Sequence, residues 1–129
     1  MSIQLDHILI PSRNREAAAK QLAGILGVQW GPAKIGPFTA VYVNENFTID
    51  FDEREQDYPK GHYCFRVSDE EFEAILARLQ AAGTVHRSTP HGPEDRTVNT
   101  SLGSKILYWS EPGGHVWELL TVSYARKQA

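Results

Sequence analysis

Cysteine is almost missing: Cys64 is the single one in 129 residues. That excludes an internal disulfide and any metal site built on a cysteine pair. An excess of positive charge is missing too. Against 16 acidic residues stand 13 basic ones, for a net charge of −3, so no basic field exists to gather nucleic acid. Long apolar runs are absent, and nothing approaches the roughly 20 residues of a membrane span. Neither nucleic acid nor membrane is therefore expected as a partner. The start, Met1-Ser2-Ile3-Gln4-Leu5-Asp6, has no cationic segment leading into an apolar stretch, so no secretory signal is expected and the expected location is cytoplasmic. What is present is a hydrophobic content of 41%, enough for the core of one compact domain or of two small halves.

The chain repeats itself. Ile3 to Ile10 reads as an aliphatic strand, followed by Ser12 or Asn14 as cap and a helix from Arg15 to Leu26. Ala18, Leu22, Ile25 and Leu26 form its apolar stripe, and Gly27 stands at the expected stop. His62 to Val67 is again a strand. Ser68-Asp69-Glu70-Glu71 then spells a capping box, and the next helix carries Phe72, Ile75, Leu76 and Leu79 on one face before Gly83. Strand-like segments follow each helix: about Gly36 to Val43 and Phe47 to Phe51, joined by Asn44-Glu45-Asn46, then about Thr84 to Ser88, Lys105 to Ser110 and Val116 to Val122. Thr89 to Ser104 reads as a long surface loop, and 125–129 as a frayed tail. The expected organisation is one domain of two modules, 1–57 and 58–129.

Three side chains sit oddly in these strands. His7 lies among aliphatics in Leu5-Asp6-His7-Ile8-Leu9-Ile10, His62 opens a strand, and Glu118 lies in Val116-Trp117-Glu118-Leu119-Leu120. Burying an unpaired carboxylate costs several kcal/mol, on the order of a small domain's whole stability. Two imidazoles and a carboxylate on separate strands are what a divalent metal site needs. Strand alternation puts His62 with Cys64 and Arg66, and Asp50 with Thr48, opposite the apolar residues. Singly, His7 or His62 suits a hydrogen-bonded core or edge histidine, and Asp50 suits a hydrated carboxylate or a partner for Arg66. His115 reads as structural or exposed, and His86 and His91 as solvated. Trp30, Trp109 and Trp117 read as core or interface aromatics, with Trp30, beside Gly31-Pro32, the candidate for a cavity mouth and substrate contact.

At these residues the chain resembles the vicinal oxygen chelate superfamily, which includes glyoxalase I, extradiol dioxygenases, fosfomycin-modifying enzymes and bleomycin-resistance proteins. The resemblance rests on the two repeated units, on His7 and His62, and on Glu111-Pro112-Gly113-Gly114-His115-Val116-Trp117-Glu118. It implies an α+β fold in which two βαβββ modules form a cupped mixed sheet, the glyoxalase/bleomycin-resistance/dioxygenase fold. It also implies one divalent metal ion (Fe, Mn, Ni, Co or Zn) on His7, His62 and Glu118. Asp50 is similar in position to a fourth ligand of glyoxalase I, one methylene shorter. Tyr108 is similar in position to a substrate-contacting tyrosine of the fosfomycin enzymes, and with Glu118 becomes a catalytic candidate. Arg66 is the candidate for an anionic substrate group, and a homodimer is implied.

Three functions follow from the resemblance. The first is a metal-dependent glyoxalase-like enzyme, acting as a Lewis acid on a small oxygen-bearing substrate and stabilising an enolate or alkoxide. The second is a non-catalytic drug- or metabolite-binding resistance protein, against which the intact His, His and Glu argue. The third is an extradiol-type Fe(II) dioxygenase. Leu9 and Ile106 stand where the fosfomycin enzymes keep a Thr and a Ser, which argues against that chemistry.

Overall fold

Asn14 starts the first helix because its side chain accepts the Ala17 N–H at 3.0 Å, satisfying a donor that the helix itself leaves free. Gly27 ends it in a left-handed conformation, φ 74°, which glycine adopts without penalty. The structure, a computed structural model, describes residues 2–126; of the tail expected to fray, 127–129 lie outside them. The fold is α+β, and the chain divides into two compact units, Met1–Pro59 and Lys60–Ala129.

The first unit runs β1 (His7–Ser12), α1 (Arg15–Leu26), β2 (Gln29–Pro32), β3 (Thr39–Asn44) and β4 (Phe47–Glu53). Its sheet has the order β1-β4-β3-β2, with β1 parallel to β4 and the other pairs antiparallel. One face carries Ile10, Val41, Ile49 and Phe51, all buried with Leu22 and Ile25 of α1. Three details differ from expectation. β1 runs from His7 to Ser12 rather than from Ile3 to Ile10, because its ladder to β4 begins at the His7–Thr48 pair. β3 begins at Thr39 rather than Gly36, since Gly36 takes φ 84° and breaks the extended run. β2 is a strand in spite of Gly31 and Pro32, because an edge strand tolerates proline at its end.

The second unit runs β5 (His62–Arg66), α2 (Asp69–Ala81), β6 (Ile106–Ser110) and β7 (Val116–Leu120). The capping box forms as expected: the Ser68 hydroxyl accepts the Glu71 N–H at 3.1 Å and Glu71 accepts the Ser68 N–H at 2.9 Å. The sheet order is β5-β7-β6, with β5 parallel and β6 antiparallel to β7. Phe72, Ile75 and Leu79 of α2 are buried, as are Leu107, Trp109, Trp117 and Leu119 of the sheet. Trp117 also packs on Tyr63 and Phe65, with ring centroids 5.3 and 5.7 Å away.

A third strand at Thr84 to Ser88 does not form. The segment reaches β6 only through a single bridge, Arg87 to Tyr108, and a second bridge joins Asn99 to Ile106. Side chains hold the segment instead of a ladder: the buried Arg87 guanidinium donates to the Pro90 carbonyl at 3.0 and 2.7 Å and to the Ser110 hydroxyl at 2.9 Å. Among the described residues no helix is long and apolar enough to cross a membrane.

Candidate metal centre

Register in the second sheet lines up three side chains that carry polar groups. Cys64 lies opposite Glu118, and Glu118 opposite Tyr108, so the three form one row across β5, β7 and β6. Glu118 has a side chain with 0% exposure. A carboxylate so enclosed must be bonded, and it is. His62 Nε2 lies 2.7 Å from its Oε1, and the Tyr124 hydroxyl lies 2.8 and 2.7 Å from Oε1 and Oε2. The Tyr108 ring meets the His62 ring edge-on, with centroids 6.0 Å apart. Burial, with the Glu118 charge in addition, makes the neighbours weaker acids: the Tyr108 and Tyr124 phenols move above their ordinary pKa range, and the Cys64 thiol is pushed up to about 12. All three keep their protons at neutral pH.

The first unit repeats the plan. His7 lies opposite Thr48, two residues before Asp50 on β4, as His62 lies opposite Val116, two residues before Glu118 on β7. Each unit thus offers an imidazole from an edge strand and a carboxylate from the strand beside it. His7 and Asp50 open onto a cavity of about 420 Å³ with Leu9, Phe38 and Tyr42 among its walls. Burial raises the Asp50 carboxyl, and the charge of His7 works in the opposite direction. His7 Nδ1 lies 2.8 Å from Asp6.

Other expected residues fall elsewhere. Trp30 pairs with Val41, which pairs with Ile49; it shares the face beneath α1 and does not line this cavity. Arg66 does not pair with Glu118 and makes no ion pair among the described residues. His86, expected to be solvated, is 4% exposed, and burial lowers its imidazole below the ordinary value. His115 is fully buried and structural: its Nδ1 accepts the Gly61 N–H at 2.8 Å. Tyr124 was not foreseen, because it lies beyond β7 where no strand periodicity points.

Within neither unit do three His, Cys, Asp or Glu side chains of the described residues group as a ligand set. The donor chemistry nonetheless fits a divalent ion. His62 with Glu118, and His7 with Asp50, offer imidazole nitrogens and carboxylate oxygens, a set suited to Fe, Mn, Co, Ni or Zn. The buried Glu118, bonded on both oxygens by neutral or weakly acidic groups, offers the negative charge that such an ion needs.

No family model and no curated protein matches the sequence; solved structures do. The chain is 35% identical to oxidase ChaP-H1 over 97% of this chain and 100% of that one, with a TM-score of 0.83. It is 31% identical to oxidase ChaP-H2 over 96% and 97% of the two chains, with a TM-score of 0.87. Lactoylglutathione lyase from Agrobacterium tumefaciens shares the fold at 14% identity, with 94% of each chain covered and a TM-score of 0.68. The chain belongs to the vicinal oxygen chelate superfamily.

Proposed function

We propose that this protein is a metal-dependent enzyme of oxidase type, acting on a small oxygen-bearing molecule. The observation that carries the reading is the His62–Glu118 pair at 2.7 Å, duplicated in register by His7 and Asp50. His7, His62 and Glu118, supplied by one chain or by two, would hold the ion, and Asp50 would add a carboxylate donor directly or through water. Two imidazoles and one carboxylate make the donor set of non-haem Fe(II) oxygenases, and the ion supplies binding of vicinal oxygens and redox capacity. The names of the relatives at 31% and 35% identity favour oxidation over lyase chemistry.

The chain's own groups divide the remaining work. Tyr108 keeps its phenolic proton beside Glu118 and serves as a hydrogen-bond donor to a substrate oxygen. Buried Ile106, Tyr108, Val116 and Leu120 form an apolar cluster on the same face and keep water away. The second reading, glyoxalase-like Lewis-acid chemistry, is favoured by Asp50, which supplies a second carboxylate in the mirrored position. The reading includes a homodimer, supported by the open sheet edges at β1 and β5 and by the exposed Leu9 and Ile35.

Elemental analysis of untagged protein, beside His62→Ala and Glu118→Gln, tests the centre. About one equivalent of a redox-active ion per chain is expected, lost in variants that keep their circular dichroism. Retention of the ion by both variants, or failure of the wild type to take up any ion after reconstitution, would overturn the proposal. A redox-inert ion such as Zn would favour the Lewis-acid reading.

A further inference from the structure

Tyr124 has two neighbourhoods. Its hydroxyl bonds Glu118, and the residue also lines a separate cavity of about 290 Å³ with Cys64, Arg66, Leu120 and Arg126. That volume lies at the small end of small-molecule sites. Among the described residues two arginines and no carboxylate line the cavity, and neither arginine is in an ion pair; the Glu118 charge lies behind Tyr124, bonded to His62 and to the Tyr124 hydroxyl. The chain as a whole carries −3, so any attraction for anions here is local rather than a property of the whole surface.

We propose that this cavity binds the carboxylate of a small ligand between Arg66 and Arg126, with Leu120 and Tyr124 against the ligand's apolar body. Guanidinium groups match a planar oxyanion through parallel N–H donors, which a lysine cannot do. The proposal deepens the enzyme reading, on which it rests for the word substrate, by naming the substrate class as a small carboxylic acid. Tyr124 is the shared wall, so a ligand seated against it lies next to the residue that bonds Glu118.

Calorimetric titration of metal-free protein with benzoate and with its neutral isostere benzamide provides the test, in wild type, Arg66→Gln and Arg126→Gln. Wild type is expected to bind benzoate at least about 10-fold more tightly than benzamide, and each substitution to weaken benzoate about 5-fold or more while leaving benzamide unchanged. Equal affinity for the two probes, no benzoate binding, or benzoate binding untouched by both substitutions would overturn the proposal. The same preparations are assayed for metal uptake, which separates the two claims. Arginine-dependent benzoate binding without metal uptake keeps the carboxylate site and removes the enzyme. Benzoate binding that appears only after metal loading and survives both substitutions removes the carboxylate site and keeps the metal centre.

Discussion

The Tyr124 hydroxyl lies 2.8 and 2.7 Å from the two carboxylate oxygens of Glu118, which also meets His62 at 2.7 Å. A hydroxyl that serves a buried charge is worth more than one on the surface, since its loss leaves the charge short of a partner. Tyr124→Phe is expected to cost about 1–3 kcal/mol in urea unfolding of the metal-free protein. The deficit should shrink when a divalent ion is added, because the ion then takes over the neutralisation. An unchanged urea midpoint would show that Glu118 does not depend on this bond.

Cys64 is exposed over part of its surface, yet desolvation of the thiol and the neighbouring Glu118 push it up to about 12. The thiolate is the reactive form. Iodoacetamide at about pH 8 is expected to alkylate Cys64 at least about 100-fold more slowly than free cysteine. Glu118→Gln should speed the reaction by removing the nearby charge. Alkylation at the rate of free cysteine would contradict the assigned environment.

His86 gives a pH dependence. Burial holds its imidazole below the ordinary 6.5, so the folded chain resists a proton that the unfolded chain accepts. Its contribution to stability is complete above 6.5, falls as the pH drops below that value, and levels off beneath the folded one. Chemical denaturation at several pH values between about 7 and 5 should therefore show a steeper loss for wild type than for His86→Gln. Parallel curves would sink this assignment.

The capping box of α2 carries a conventional cost. Ser68→Ala is expected to destabilise the protein by about 1 kcal/mol, read as a lowered thermal midpoint. The Ser68 N–H also holds the Glu71 carboxyl below its ordinary value. That contribution is present at neutral pH and disappears as the pH falls through the folded value. Glu71→Gln should leave the stability of the protein less sensitive to acid than that of wild type.

Local signals were the legible part of this molecule. The caps at Asn14, Ser68 and Gly27 are readable because each is settled by one or two neighbouring residues. The shared face of His62, Cys64 and Arg66 is readable because the pleat has a period of two. What comes from tertiary packing is not. Tyr124 reaches Glu118 by the turn of the chain after β7, where no period applies. His86 looks like a polar loop residue, yet the Arg87–Tyr108 bridge and the bond from the Arg96 N–H to the His86 carbonyl draw it inside. The segment Thr84 to Ser88 has strand-like composition, but pairing beyond one bridge depends on a partner edge that composition does not reveal. Trp30 misleads for a related reason: its neighbours Gly31 and Pro32 suggest a loop, while the register with Val41 turns the ring toward the helix side.

The two halves also differ in how firmly their middles are fastened. In the first, β2 is laddered to β3 along its whole length, which fixes both its register and its extent. In the second, the stretch between α2 and β6 touches the sheet at two single rungs, Arg87–Tyr108 and Asn99–Ile106. A ladder constrains every residue within it through the backbone; between these rungs the chain is held by side chains instead, Arg87 on Pro90 and Ser110 and Asp95 on the Ser88 N–H. Bonds of that kind depend on which side chains are present rather than on backbone pairing, so this stretch can change its length or chemistry while His62 and Glu118 stay on paired strands.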